Sequence, residues 1–288
     1  MTITGHGISP KVVGAARQAV IDYFSQPESK KLSDQITRDN YRGYIPTGFF
    51  SPAGDVAPAD NYEGYKLHFE VPAGDPLISR CDLYGPNKWP AIPGFQESLQ
   101  RYWNECDRVA QTVLWALAET MGVAPKAFLR YFERPLTNMT LLHYPPQSKA
   151  DEGFGIHPHK DTDALTILAP DPGGGLLVKY RDSDEWISAE PTGNALIVNI
   201  GDMLELWSGG YFRSTPHKVV NLSGAERYSF PYFCVPRFDT VIKPLRTPQP
   251  GFKRDRIHVG DISREVWRNN WPDAVPHDPK LDLGTLED

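Results

Sequence analysis

Two histidines and one aspartate in the second half of the chain have the types and spacing of a metal site. His159 and Asp161 are separated by one residue, and residues two apart in an extended strand point to the same face. Their imidazole and carboxylate are therefore expected to meet at one ion, and His217 follows in a second strand-like stretch. Two imidazoles and one carboxylate form the triad that leaves coordination positions open on Fe(II) for oxygen chemistry. The pattern predicts His159, Asp161 and His217 as metal ligands and catalytic residues.

A guanidinium and a hydroxyl follow the second histidine on one predicted strand face. Arg227 and Ser229 lie two residues apart, and a planar guanidinium matches a carboxylate through paired hydrogen bonds. Burying Arg227 without a partner would be costly, so we expect the pair to bind the carboxylate of a ligand. A surface arginine is the alternative, and the apolar neighbours Phe230 and Phe233 argue against it.

These residues resemble the Fe(II)/2-oxoglutarate-dependent oxygenases, in particular the isopenicillin N synthase-like family. The resemblance rests first on His159-x-Asp161, His217 and Arg227-x-Ser229. It extends over about residues 3 to 240, through Gly5-His6-Gly7-Ile8, His143-Tyr144-Pro145-Pro146 and the segment 199–208. Members usually carry a further strand and a polar segment before the Gly-His-Gly-Ile turn, whereas this chain begins almost at that turn.

The resemblance implies Fe(II) as the cofactor and 2-oxoglutarate and O2 as cosubstrates. The 1-carboxylate and 2-oxo group of 2-oxoglutarate would chelate the iron, and the far carboxylate would meet Arg227 and Ser229. Tyr144 would be a further hydrogen-bonding partner of the cosubstrate, with a packed core tyrosine as the alternative. The products would be succinate, CO2 and an oxidised, by default hydroxylated, small organic molecule. The sequence does not separate hydroxylation from desaturation, cyclisation or demethylation, and it does not identify the substrate.

Two other functions stay open at the level of sequence. An oxidase of the same fold would take electrons from its substrate or from ascorbate and would need no 2-oxoglutarate, and such relatives share the Arg-x-Ser pair. A non-catalytic jelly-roll binding protein, or one that uses zinc for hydrolysis, is the other alternative. Oxygen consumption with and without 2-oxoglutarate distinguishes the oxidase, and metal analysis distinguishes the binding protein.

The elements that position these residues are predicted to be helices in the first part of the chain and mostly strands in the second part. Ser9-Pro10 predicts a helix start, and an apolar stripe predicts a longer helix over 94–121. The segment 34–89 is rich in Gly, Pro, Asn and Tyr without a sustained period and predicts long loops, and a short helix is expected near 126–132. Short strands separated by turn residues are expected at 138–144, 164–169, 176–180, 185–187, 195–200, 217–221 and 228–235.

This order of elements predicts a mostly β fold with flanking helices around a double-stranded β-helix, or jelly-roll, core. Barrels of this length usually form one domain, so we expect a single oxygenase domain over 1–288. Within it, 1–135 would be a helical and loop-rich front part, and 136–240 the jelly-roll core with the metal site. The segment 241–288 would be a C-terminal tail and helix.

Composition argues against several classes of partner. The formal net charge is −6 and the basic residues are dispersed, which is unlike a nucleic-acid-binding surface. No stretch approaches the roughly 20 apolar residues of a membrane span, and we see no signal-peptide pattern. Cys81, Cys106 and Cys234 form no C-x-x-C motif and are typical of reduced thiols. We therefore expect a cytoplasmic enzyme with a small-molecule substrate, of the kind found in secondary metabolism, with no nucleic-acid or membrane partner; its oligomeric state is not indicated.

A loop and a short segment before the first histidine are candidates for substrate binding. The loop 40–46 is aromatic and irregular, loops on a rigid scaffold usually carry specificity, and in look-alike enzymes the corresponding segment lies near the barrel mouth. The predicted pocket residues are Tyr41, Arg42, Tyr44, Phe154 and His157. Such a pocket suits a small, partly apolar molecule bearing a carboxylate or phenol. The alternative is that the rings only pack the loop onto the barrel.

Overall fold

Two facing antiparallel sheets enclose the cavity into which the predicted metal ligands project. The computed structural model describes residues 1–49, 59–147, 153–180, 183–190, 193–221, 224–254, 256–269 and 271. The part of the predicted C-terminal tail from 272 to 288 lies outside the described residues. Within those ranges, no helix combines the length and apolar character that crossing a membrane requires.

The strands are short, and most pair with strands that are distant along the chain. They are β1 (Thr2–Ile3), β2 (Gly43–Ile45), β3 (Glu63–His68), β4 (Asn138–Tyr144), β5 (Ile156–His159), β6 (Leu165–Leu168), β7 (Leu176–Lys179), β8 (Trp186–Ser188), β9 (Leu196–Ile200), β10 (His217–Val219), β11 (Arg227–Ser229), β12 (Tyr232–Cys234), β13 (Val241–Ile242) and β14 (Ile257–His258). The helices are α1 (Pro10–Phe24), α2 (Glu28–Ser33), α3 (Pro76–Arg80), α4 (Phe95–Thr120), α5 (Pro125–Leu129), α6 (Asp202–Trp207) and α7 (Val259–Asn269), with a 3-10 turn at Arg130–Phe132.

The larger sheet has the strand order β1-β9-β6-β12-β4-β3-β2, and β11 also pairs with β4. The smaller sheet has the order β5-β10-β7-β8, and β13 and β14 form a separate pair. Strand pairs that cross between distant parts of the chain in two facing sheets are typical of a jelly roll. The predicted mostly β fold with flanking helices is therefore confirmed.

Helices α1 and α4 cover the face of the larger sheet that points away from the cavity. The Ser9 side chain caps α1 by accepting a hydrogen bond from the Lys11 backbone N–H, as its type predicts. On α4, Tyr102 packs edge-on against Phe230 with ring centroids 5.0 Å apart, and Trp103 packs against Tyr232 at 5.1 Å. The apolar stripe predicted over 94–121 is thus a packing surface that holds the sheet from behind.

The structure corrects the interpretation of 34–89 as long loops, because β2, β3 and α3 lie in this segment. Strand β3 pairs with β4 along its whole length, from Glu63 opposite His143 to His68 opposite Asn138. The Gly and Pro residues that surround β3 hide its short apolar alternation. Its strand conformation depends on pairing with β4, which lies far along the chain.

Two further local predictions differ from the structure. The strand expected over 228–235 is two strands, β11 and β12, because Pro231 between them has no N–H to donate to a ladder. Strand β5 ends at His159, so Asp161 lies in the turn that follows and not on the same strand.

We predict that Leu99→Ala, on the buried face of α4, lowers the free energy of unfolding by about 2–5 kcal/mol, since it removes a fully enclosed side chain. The neighbouring exposed Gln100→Ala is the matched control and should change it by less than about 0.5 kcal/mol. Urea denaturation followed by circular dichroism measures both. Equal effects of the two substitutions would contradict the packing assigned to α4.

Candidate active site

His159, Asp161 and His217 come together where the two sheets approach each other. His159 ends β5 and His217 begins β10, and the two residues are directly paired in the smaller sheet, with ring centroids 4.2 Å apart. Asp161 Oδ1 lies 3.9 Å from His159 Nε2 and 3.5 Å from His217 Nε2. One donor atom from each residue can be chosen so that all three lie within 4.8 Å of one another.

Each imidazole is held in one tautomer by its own strand. His159 Nδ1 lies 2.7 Å from the carbonyl oxygen of His157, and His217 Nδ1 lies 3.1 Å from that of Thr215. Because a carbonyl can only accept, Nδ1 carries the proton in both rings and Nε2 keeps its lone pair. Burial and the neighbouring His217 lower the pKa of His159. In these tautomers each ring presents Nε2 as the nitrogen that can bind a metal.

The carboxylate of Asp161 is held from the larger sheet. Its Oδ2 accepts hydrogen bonds from Thr166 Oγ1 at 2.6 Å and from Asn199 Nδ2 at 2.8 Å. Thr166 on β6 and Asn199 on β9 are opposite each other in register, and the Asp161 carbonyl accepts from the backbone N–H of Asp202 at 2.8 Å. With Oδ2 and the backbone engaged, Oδ1 faces the two histidines.

Strand alternation therefore does not align His159 with Asp161, contrary to the argument from their spacing. The turn after β5 carries Asp161 across to the larger sheet, and hydrogen bonds to Thr166 and Asn199 aim its carboxylate. Sequence reasoning missed both supporting residues. Each is a single polar residue inside an apolar strand, in Leu-Thr-Ile-Leu and in Leu-Ile-Val-Asn-Ile, and that isolation is the signal by which they could be found.

Arg227 and Ser229 line the same cavity from β11, with 2% and 4% of their surfaces exposed. Arg227 Nε donates to the carbonyl of Gly174 at 2.7 Å, and the guanidinium carbon lies 4.7 Å from the centroid of the Tyr144 ring. Its Nη1 is buried and has no hydrogen-bond partner among the described residues. A desolvated guanidinium with an unpaired N–H is unfavourable, and a carboxylate would satisfy it.

Tyr144 is fully buried at the end of β4, beside the guanidinium. Burial raises the pKa of its phenol to about 12, and the charge of Arg227 partly offsets that rise. The phenol therefore stays protonated near neutral pH. Gly155 packs closely against Tyr144, since an added Cβ would lie 2.8 Å from its ring.

One cavity of about 470 Å³ connects the histidines to Arg227. Both sheets contribute to its walls, and most of the remaining lining is apolar. Its apolar side chains include Leu142, Ile156, Leu168, Leu176, Val219 and Phe233. An apolar chamber with a few convergent polar groups is the usual form of a small-molecule site.

Phe154 and His157 lie together just before the first metal-ligand candidate. Their ring centroids are 4.8 Å apart, and the Asp60 carboxylate accepts hydrogen bonds from the backbone N–H and the Nδ1 of His157 at 2.9 and 2.6 Å. The His157 carbonyl in turn accepts from His159 Nδ1. His157 therefore supports the orientation of His159 through its backbone.

The structure does not gather the other three predicted pocket residues in one place. Tyr41 packs against Trp267 of α7 with ring centroids 4.7 Å apart. Arg42 is buried, and its Nη2 donates to the carbonyl of Leu83 at 2.9 Å. Tyr44 lies on the helix side of the larger sheet, where its hydroxyl donates to Glu63 at 2.6 Å. Tyr44 and His157 are thus on opposite sides of this sheet.

A 2-His-1-carboxylate cluster facing a buried arginine, inside a jelly roll, defines the class of non-haem iron oxygenases. Comparison with known proteins agrees. The sequence profile of the 2OG-Fe(II) oxygenase superfamily matches residues 129–236. A second profile, which describes the N-terminal region of the non-haem dioxygenase in morphine synthesis, matches residues 1–92. The 2-oxoglutarate-dependent dioxygenase citB of Monascus ruber is 30% identical over 269 residues, which cover 89% of this chain and 81% of that protein.

Solved structures are also similar to this chain over most of its length. A full-length Neurospora crassa protein, solved in complex with alpha-KG and thymine, is 26% identical with a TM-score of 0.79, covering 92% of this chain and 86% of that one. A 2OG-Fe(II) oxygenase family protein of Caulobacter crescentus is 28% identical with a TM-score of 0.80, covering 93% and 88%. The chain belongs to the 2OG-Fe(II) oxygenase superfamily. It is a 2-oxoglutarate-dependent dioxygenase that uses Fe(II), 2-oxoglutarate and O2.

We predict that Thr166→Val weakens Fe(II) binding about 10- to 100-fold, because it removes a hydrogen bond that orients Asp161. Thr112→Val, on the exposed surface of α4, is the matched control and should leave metal affinity unchanged. Anaerobic Fe(II) titration measures both. Wild-type affinity in a Thr166→Val, Asn199→Leu double variant would show that these side chains do not position the carboxylate.

Proposed function

We propose that the enzyme hydroxylates a small organic molecule, with release of succinate and CO2. In this proposal His159, Asp161 and His217 hold the iron, and Arg227 with Ser229 binds the far carboxylate of 2-oxoglutarate. The observation that carries it is the buried Nη1 of Arg227, which has no partner among the described residues, in a side chain that lines the same cavity as the three donor residues. A dicarboxylate such as 2-oxoglutarate can bind Arg227 with one carboxylate while its other end lies at the three metal-ligand candidates.

The donor set fits Fe(II) by its chemistry. Two imidazole nitrogens and one carboxylate oxygen lie within 4.8 Å of one another, and such a set of three protein ligands leaves coordination positions on Fe(II) for the cosubstrates. When bound, Fe(II) activates dioxygen for oxidation of the oxoacid and of the substrate. Thr166 and Asn199 keep one Asp161 oxygen occupied, so that the carboxylate presents a single oxygen to the metal.

Arg227 contributes binding and orientation. Its Nε is tied to the Gly174 carbonyl and its guanidinium carbon lies over the Tyr144 ring, so little side-chain freedom remains to be lost on ligand binding. Ser229, two residues along β11, offers a hydroxyl on the same face. The Tyr144 phenol is protonated and adjacent, which makes it a further donor for the cosubstrate.

The apolar walls support a small substrate and a dry reaction. Leu142, Ile156 and Leu168 line the chamber between the two polar ends, and exclusion of water protects reactive chemistry from side reactions. A volume of about 470 Å³ is in the range of small-molecule sites. The similar Neurospora crassa protein was solved with thymine, which is a molecule of the size that such a chamber admits.

Several expectations stay predictions. They are the hydroxylation outcome, the cytoplasmic location, a role in secondary metabolism, the single domain over 1–288 with its three parts, and the substrate contacts of Tyr41, Arg42, Tyr44, Phe154 and His157. Phe154 and His157 pack against each other just before His159 in the chain, which supports their inclusion. Arg42 is hydrogen-bonded to the backbone carbonyl of Leu83, so its contribution to a pocket would be through its charge.

We predict that Arg227→Ala raises the 2-oxoglutarate concentration needed for half-maximal succinate formation about 10- to 100-fold. The reason is that a charge-assisted hydrogen bond in a desolvated site contributes about 1.5–3 kcal/mol. Ser229→Ala should have a smaller effect, and Arg101→Ala on the exposed face of α4 should have none. If oxygen consumption by Arg227→Ala kept the wild-type dependence on 2-oxoglutarate, Arg227 would be excluded as the residue that binds the far carboxylate of 2-oxoglutarate.

We predict that Asp161→Ala abolishes both Fe(II) binding and succinate formation while the protein stays folded, because the barrel is built by strand pairing that does not involve this side chain. Metal analysis after anaerobic loading, together with the circular dichroism spectrum, measures this. Asp184→Ala, at an exposed carboxylate, is the control. Retention of wild-type turnover would exclude Asp161 as a ligand.

A further inference from the structure

Lys66 lies on the inner face of the larger sheet, next to the proposed catalytic cavity. On β3, Lys66 is two residues from Gly64 and therefore shares its face. Gly64 is directly opposite Leu142 of β4, and Lys66 is opposite Thr140. Residues opposite each other in neighbouring strands share a face, and Leu142 lines the cavity. The Lys66 side chain is thus on the cavity side of the sheet.

A short path leads from this ammonium to the proposed iron ligands. Lys66 Nζ lies 5.6 Å from the centroid of the Phe233 ring, and Phe233 lines the cavity. Phe233 is opposite Thr166 in register, and Thr166 donates to Asp161. Strands β3 and β6 are three strand spacings of about 4.8 Å apart, with β4 and β12 between them, and the ammonium spans part of this distance by approaching the Phe233 ring on β12. Phe233, Thr166 and Asp161 all line one cavity, so the cavity between the Phe233 ring and the triad can hold the body of a small organic molecule.

The Lys66 ammonium has aromatic neighbours and, in the described part of the chain, no carboxylate partner. It lies 5.7 Å from the centroid of the Tyr41 ring and 5.6 Å from that of Phe233. Within the described ranges it forms neither an ion pair nor a hydrogen bond, and burial lowers its pKa to about 8. Cation–π attraction recovers only part of the lost hydration. A partly buried cation in such surroundings leaves a position for an anion.

The surroundings of Lys66 add to the positive potential. The pKa of His68, two residues along β3, is held well below its usual value by burial and by the charges of Arg42 and Lys66. Arg42 is itself buried, and its Nε has no partner among the described residues. Arg42 has the carboxylate of Glu70 as a charge neighbour, so Lys66 is the cation beside His68 that a negative group of a ligand would pair with.

A buried amide oxygen without a hydrogen-bond partner among the described residues, that of Asn138, lies beside the same path. Asn138 is opposite His68 on one side and Phe233 on the other, and its Oδ1 is buried without a hydrogen-bond partner among the residues described. An amide oxygen in this position can accept from a hydroxyl or an N–H of a ligand. The region thus offers a cation, an acceptor and two aromatic rings.

We propose that Lys66 binds the carboxylate of the organic substrate, and that the substrates are small aromatic carboxylic acids. This inference rests on the proposed function, because it assigns the substrate class of the same site. The apolar body of the acid lies along Phe233, between the Lys66 ammonium and the triad. The 2-oxoglutarate carboxylate is separate, since Arg227 receives it at β11.

Calorimetric titration with a graded series of acids tests the proposal. Benzoate, phenylacetate, 3-phenylpropionate and 4-phenylbutyrate, each with its methyl ester, are titrated into the anaerobic enzyme loaded with Fe(II) and 2-oxoglutarate. At least one acid should bind wild type about tenfold or more tighter than its ester, as expected for a charge-assisted contact. Lys66→Met should remove that preference, Lys66→Arg should largely keep it, and the exposed Lys30→Met should match wild type.

The outcomes separate this inference from the proposed function. A wild-type enzyme that binds the esters as well as the acids, or that binds no acid of the series, overturns the assignment of Lys66. Unchanged acid preference in Lys66→Met overturns it as well, and if that variant does not fold, Lys66→Gln replaces it. Failure of the proposed function appears elsewhere, as absence of slow succinate release from 2-oxoglutarate by wild type without any acid.

Discussion

The hydrogen-bonded carboxylate of Asp161 is the interaction on which the organisation of the site depends. The two histidines belong to the smaller sheet, where they are paired across β5 and β10. The groups that orient Asp161, Thr166 and Asn199, belong to the larger sheet. One side chain therefore links two sheets that otherwise enclose an apolar chamber. A shift of either sheet would separate the donor atoms, so the packing of α1 and α4 behind the larger sheet also serves the site.

Two buried charged residues on opposite sides of the larger sheet, Glu63 and Arg227, differ in whether their polar atoms have hydrogen-bond partners. On the helix side, Glu63 is buried but accepts hydrogen bonds from Lys31, Tyr44 and His143. Burial tends to raise the Glu63 pKa, but these donors outweigh it and hold the pKa below its usual value. On the cavity side, Arg227 keeps an N–H without a partner among the described residues. A buried charged group that keeps an unpaired N–H beside a cavity is a position where a ligand can supply the missing partner.

Much of this organisation could be predicted from residue order. His159, Asp161, His217 and the Arg227–Ser229 pair stand out because such polar residues are rare among apolar strand residues. The helices α1 and α4 could be predicted because a capping residue and an apolar stripe are local signals. Strands β2 and β3 were missed because their stability comes from pairing within the sheet that contains β4, and a short strand among Gly and Pro residues has little local signal.

The sequence by itself determined the class of chemistry, because the residue types and order of His159, Asp161, His217 and Arg227 restrict what a site can do. Tertiary structure alone decided how those groups are held. The approach of Asp161 to the histidines follows from a turn and from hydrogen bonds to Thr166 and Asn199, and not from the strand alternation that the spacing predicts. Likewise, Tyr44 faces the helices while Lys66 faces the cavity, because strand register sets the face of each side chain. Register depends on partners distant along the chain, and no local pattern encodes it.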